Sequence, residues 1–295
     1  MFSEETIKYI QDNNEKIEKE IMEVGNNFFD VYMKALKVVM DGMLSLKPSR
    51  YDANTYIILS IRNIKVLIDG MQCLFNEKNT EASQVLLRSL FEVSVQLIYF
   101  IYEPKLIEEN YAIYQLCHAR DFEKELDSTY KEYNNDDMKK EILKIREKYS
   151  NSNNEIQKIL NKNKFASWYS VAGMLRKQNI KSFYGLCKFL KLEGDKTKSV
   201  LYDTIYNLTS SYIHGKSMAN MVYKIDDKLI FLPIRYLKSS SFYLTALHYI
   251  MNLLLHKLIY YCESQNISLI DLCGDDLNMQ KERIAKIREL DQSLI

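Results

Sequence analysis

The chain has 295 residues, of which 47% are hydrophobic, with Lys+Arg 40 against Asp+Glu 39. This is apolar material enough for one large core, and a formal charge of +1 leaves no global footprint for nucleic acid, although a local patch could still form. Only 3 Pro and 8 Gly argue against sheet-rich and α/β folds, which need more turn punctuation than long helices do.

Residues 3–46 carry apolar residues at helical spacing, with Ser3 as the expected N-cap and Gly25 with Asn26–Asn27 as the expected break into two helices. Lys47-Pro48-Ser49 is the first clear stop. The apolar run 53–77, with Arg62 and Asp69 embedded in it, predicts one central helix. A second, capped by Thr80, covers 81–103 and ends at Pro104, which opens a third over 105–131. Residues 121–164, rich in Lys, Glu, Asp and Asn, read as an exposed helical excursion, with Ser152 and Glu155 as a capping box for a short helix.

Short helices follow at 166–178 and 182–192, the second capped by Ser182, then a longer one from about 196 to 214 that stops at Gly215. Met221–Ile225 and Leu229–Leu232 flank Asp226-Asp227-Lys228 as a small β-hairpin within 219–234. A long apolar helix over 240–264 and an amphipathic tail over 276–292 complete the chain. The expectation is an all-α multi-helix bundle with at most that one hairpin. Its divisions are an N-terminal helical arm (1–50), a helical core (51–265) and a C-terminal tail helix (266–295). The arm and tail, being amphipathic, should self-associate or pack onto the core.

No basic and apolar leader opens the sequence, and the best membrane candidate, Tyr243–Tyr261, is interrupted by His248, Asn252, His256 and Lys257. A cytoplasmic protein that does not enter a membrane is expected. The five cysteines form no CxxC pair and read as small buried hydrophobes. Nothing calls for a metal or a cofactor, since no P-loop, GxGxxG, GxSxG or HExxH occurs.

Three polar stripes stand out. Arg88 and Glu92 sit at i, i+4 among apolar neighbours, in the charge order less favourable for a surface pair. Both should therefore be mostly buried and bonded to other helices, either as a structural ion-pair network or as a phosphate contact. Asp203, Asn207, Ser210 and His214 share one face of the helix ending at 214. Ser210 and His214 are one turn apart, but Asp203 lies roughly 16 Å from His214 and cannot orient it. Thr245, His248, Asn252 and His256 form the third stripe, read as satisfied interior polar groups.

The order Leu87-Arg88-Ser89-Leu90-Phe91-Glu92, then Trp168-Tyr169, then Tyr206 through Gly215 resembles a bacterial family known only as a domain of unknown function. Its pattern is an R-S-L-x-E helix, a central tryptophan and a Y-x-x-x-S-x-x-x-H helix, matched over about 55–260. The Lys, Asn and Ile bias agrees with a low-GC bacterial origin. Members of that family are similar to the helical HEPN ribonucleases of toxin–antitoxin and phage-defence systems, which cut RNA with an Arg, a polar residue after it and a His one turn on.

That resemblance implies Arg88, Glu92, Ser210 and His214 as catalytic residues, with Tyr206, Asn207 and Arg62 in binding. Thr209 stands where the Arg belongs, so Arg88 would have to supply the guanidinium. Two functions stay open. One is a metal-independent RNase-like effector or toxin of a bacterial defence or stress system, with His214 as acid–base group facing Arg88 in one pocket. The other is a non-enzymatic helical module that binds a protein partner or small ligand. RNA, a protein partner and a second copy of the chain are the partners these readings imply.

Overall fold

The computed structural model describes residues 4–48, 52–129, 136–150, 154–163, 166–191, 202–203, 205, 222–225, 228–231, 237, 240–269 and 274–294. Among these, the chain runs as α1 (Glu4–Leu44), α2 (Ala53–Asn76), α3 (Thr80–Phe100), a 3-10 turn (Pro104–Leu106), α4 (Ile107–Thr129), α5 (Asp136–Ser150), α6 (Asn154–Lys162), α7 (Trp168–Leu175) and α8 (Phe183–Phe189). Strands β1 (Val222–Ile225) and β2 (Lys228–Phe231) follow, then α9 (Ser240–Ser264), α10 (Gly274–Asn278) and α11 (Gln280–Ser293). The architecture is an all-α helical bundle with one antiparallel hairpin, in which Val222 pairs with Phe231 and Ile225 with Lys228. The predicted helix over 196–214 lies outside the described residues except for Tyr202, Asp203 and Ile205, and so does Ser152 of the expected capping box.

Caps set several boundaries. The Asp52 carboxylate accepts from the Asn54 N–H at 2.7 Å and opens α2. Asn79, not Thr80, caps α3, accepting from the Ala82 N–H at 3.2 Å, while Thr80 is buried as the first helical residue. Ser182 caps α8 through the Gly185 N–H, as its sequence position predicts.

The core is a ring of four helices in which α1 packs on α2, α2 on α3, α3 on α9, and α9 back on α1. The amphipathic α1 therefore packs onto the core. Ile21, Phe28, Phe29, Tyr32, Ala35, Leu36, Val39 and Met43 of α1 are all fully buried. Gly25 does not break the helix, which is continuous for 41 residues. A Cβ at Gly25 would overlap the ring of Phe75, so the missing side chain lets α2 approach α1 at close range. A mid-helix glycine costs about 1 kcal/mol relative to alanine, whereas burying a phenylalanine contributes about 1.5–3 kcal/mol. The packing term wins. Asn26 likewise bonds across to α2, donating to Asn76 Oδ1 at 2.8 Å and accepting from Gln72 Nε2 at 3.0 Å.

The seam between α1 and α9 carries a closed ring of polar groups. The Tyr32 hydroxyl is 2.6 Å from His248 Nδ1, Asn252 Nδ2 is 2.9 Å from His248 Nε2, and Tyr32 reaches Asn252 Oδ1 at 3.5 Å. One assignment gives each bond of the ring a donor and an acceptor. His248 Nδ1–H donates to the Tyr32 oxygen, Tyr32 donates to Asn252 Oδ1, and Asn252 Nδ2 donates to Nε2. This requires a neutral imidazole, and burial, helped by Lys281, lowers His248 to about 4. Thr245 donates to its own helix at Ser241 O, and His256 is exposed. Only His248 and Asn252 of that stripe form the interior pair.

The tail packs onto the core as well. Ile284 and Ile287 are buried between α11 and its neighbours, and Lys286 pairs with Glu20 of α1 at 2.7 Å. The Asp291 carboxylate accepts from Ser240 Oγ at 3.0 Å and the Ser241 N–H at 2.8 Å, so α11 caps the first turn of α9. Cys117, Cys187 and Cys262 are buried as expected, Cys73 is exposed, and Cys273 lies outside the described residues. Among the described residues no single helix is long and apolar enough to cross a membrane.

If Gly25 serves the α1–α2 approach, Gly25→Ala destabilises the protein by about 1–3 kcal/mol despite its better helix propensity. Urea unfolding reads this, and Phe75→Leu in the same chain should recover part of the loss.

Candidate functional site

The sequence-predicted residues fall in three places. Arg88 and Glu92 lie on α3, where Arg88 Nε donates to Glu92 Oε1 at 3.2 Å. Their side chains are 20% and 37% exposed, so the pair sits at the edge of the helix, not within the core. Both side chains are thus mostly covered, as their apolar neighbours predict, but short of full burial; Val85, near the same outer edge, is itself 37% exposed. Arg62 is exposed on α2. Tyr206, Asn207, Ser210 and His214 lie outside the described residues, and with them the expected pocket joining Arg88 to His214.

A different concavity is built by α2, α3, α4 and α5. It is a cleft of about 540 Å³, within the usual range for small-molecule sites. From α2 come Thr55, Tyr56, Leu59, Ser60 and Asn63, spaced at i, i+1, i+4, i+5 and i+8 on one face. From α4 come Tyr111, Tyr114, Gln115 and His118, again one face of a helix. Val93 and Gln96 of α3 form the floor between them, and Ile145 of α5 closes one side. Among the described residues, none that lines the cleft is Asp, Glu, Lys or Arg.

The rings are ordered as a ladder. Tyr56 lies 4.3 Å from both Phe100 and Tyr114, centroid to centroid. Tyr114, His118 and Phe122 then repeat at i, i+4 and i+8 along α4, each 6.0 Å from the next, with His118 and Phe122 stacked at 19°. Burial raises the phenols of Tyr56 and Tyr114 above their ordinary range; for Tyr56 the neighbouring Tyr114 adds to the shift and Ser60 opposes it. Both stay protonated at neutral pH and can donate.

Trp168 fixes the floor. Its indole N–H donates to Gln96 Oε1 at 3.1 Å, while its ring packs against Tyr99, Phe100 and Tyr114. An indole nitrogen only donates, so the Gln96 oxygen must face Trp168 and its Nε2 is the group left to bond elsewhere. The central tryptophan of the sequence pattern thus has a position beside the cleft, although its place in that pattern assigned it no site role. The cleft itself was missed because amides and tyrosines in apolar helices resemble ordinary core edges. The signal available was the stripe Tyr111, Tyr114, Gln115 and His118 on one face of α4.

The model of a family of unknown function, DUF5677, matches residues 54–228, more than half of the chain. The chain belongs to DUF5677. No curated protein and no solved structure matches it. The DUF5677 segment begins one residue into α2 and ends at the first residue of β2, so it contains every residue that lines the cleft. It excludes α1, α9 and α11, which the DUF5677 fold of this chain nonetheless uses to complete its core.

A partly exposed i, i+4 pair at a helix rim contributes about 0.3–0.5 kcal/mol, against about 3–5 kcal/mol for breaking a fully buried one. Arg88→Met and Glu92→Gln should each therefore shift stability by less than about 1 kcal/mol. Thermal or urea unfolding of the two variants checks this, and a loss of several kcal/mol would place the pair in the core.

Proposed function

We propose that this chain is a helical binding module whose α2–α5 cleft takes a small uncharged ligand. The observation that carries the reading is the lining. A pocket of about 540 Å³ walled by rings and carboxamides, with no Asp, Glu, Lys or Arg among its described lining residues, suits a neutral polar molecule better than a phosphodiester. Such a module fits a bacterial cytoplasmic defence or stress system as its ligand-sensing part, acting through a protein partner or a second copy of the chain.

The second reading is the HEPN-like RNase, with Arg88, Glu92, Ser210 and His214 as its chemistry and RNA as its substrate. What favours it is the ordered Y-x-x-x-S-x-x-x-H sequence from Tyr206 to His214. Against it stand Thr209 in the place of the Arg and the pairing of Arg88 with Glu92.

One pair of assays separates the two. A thermal-shift screen of the purified chain against neutral metabolites should yield ligands that raise the melting temperature, while total RNA incubated with the same protein stays intact. Cleavage of that RNA by the native chain, lost in His214→Ala at an unchanged melting temperature, would establish the RNase reading instead.

A further inference from the structure

We propose that the ligand of the α2–α5 cleft is an uncharged planar nitrogen heterocycle of the nucleobase type, stacked on Tyr114 and His118 and bonded at its edge by Gln96 and Gln115. The proposal rests on the binding reading above and names the class of molecule that the site takes.

The lining first selects against charge. Among the described lining residues, an anionic ligand would lose water and meet no Lys or Arg, and a cationic one would meet no carboxylate. A phosphorylated nucleotide is therefore a poorer ligand than the base alone. The rings next select for a flat ligand. Tyr56, Tyr114, His118 and Phe122 already follow one another as a ladder, and His118 is its exposed member at the cleft. His118 stands between Tyr114 and Phe122, and a heterocycle laid against its exposed part adds a flat partner from the cleft side, as any base has a face to do.

The amides then select for an edge. Gln96 is held with Nε2 as its remaining donor, and the Gln115 carboxamide on the neighbouring wall offers a donor and an acceptor side by side. A carboxamide matches the adjacent donor and acceptor on a base edge, as Asn and Gln do when they read adenine. A saccharide fits less well. Its hydroxyls surround the ring, and those turned toward Leu59, Val93 and Ile145 would be left without partners.

The test is isothermal titration of the full chain with adenine, guanine, cytosine and uracil, and with AMP, glucose and indole as contrasting probes. At least one base should bind, with AMP about tenfold weaker than adenine or undetectable if adenine is that base. Gln115→Leu and His118→Ala should each weaken the base by about tenfold at an unchanged melting temperature, and His118→Tyr should restore it, since stacking needs a ring and not an imidazole. Glucose or indole binding where no base binds would overturn the ligand class and leave the binding module standing. AMP binding more tightly than adenine would overturn the neutral preference. Base binding indifferent to both substitutions would remove the ligand from this cleft. A folded chain that binds none of the probes overturns the proposal, and if the neutral-metabolite screen is also silent, the binding reading falls with it.

Discussion

Everything in this molecule depends on covering α2 and α3 on both sides. These two helices bury Ile57, Ile61, Ile64, Ile68 and Phe75 from one and Leu87, Leu90, Phe91, Val95 and Ile98 from the other. Faces that wide cannot be satisfied by each other alone, and the remaining walls come from α1 and α9. The covering is specific at two points. Gly25 admits the Phe75 ring against the α1 backbone, and the neutral Tyr32–His248–Asn252 ring closes the α1–α9 seam without a buried charge. Because α11 caps α9 through Asp291 and meets α1 through Lys286, the last helix locks the same seam from outside.

The cleft follows from this frame. With one side of α2 committed to α1, Tyr56, Leu59, Ser60 and Asn63 face the opposite way and meet α4. Two rigid helices then set the spacing between their stripes, and Trp168, delivered by the short α7, sets the orientation of Gln96 between them. A site built on helices and fixed by a neighbour's hydrogen bond is held more closely than one on loops. Its composition matters as much as its shape, since a lining without Asp, Glu, Lys or Arg among the described residues can bind by stacking and paired amides at little desolvation cost.

The fold was largely legible in the sequence, and the cleft was not. Apolar runs bounded by Pro48, Pro104 and the cap at Ser182 mark helix ends closely, because a missing N–H or a side-chain acceptor acts locally, whereas the α3 cap was placed on Thr80, one residue past Asn79. Gly25 was misread because its reason is a ring 50 residues away in the chain, which no local pattern reveals. Arg88 and Glu92 drew attention as charges among apolar residues, yet their depth depends on which sector of α3 is covered, and that is a tertiary fact. His248 and Asn252 were legible as interior partners, though Tyr32, which completes them, sits 216 residues from His248. Tyr114, Gln115 and His118 have no metal-ligand spacing and no carboxylate or guanidinium among them, so nothing marked them as a site until α2 was placed opposite.

That α1 completes the core is the claim on which the frame and the cleft both stand. Its most direct test is urea unfolding of a chain lacking residues 1–48, followed by near-ultraviolet circular dichroism. Loss of eight fully buried side chains from α1 should leave no cooperative transition and no fixed aromatic signal, with α2 and α9 exposed and prone to associate. A shortened chain that stays monomeric and unfolds cooperatively, with its aromatic signal intact, would show that residues 54–228 and α9 form a core without α1 and would contradict the account.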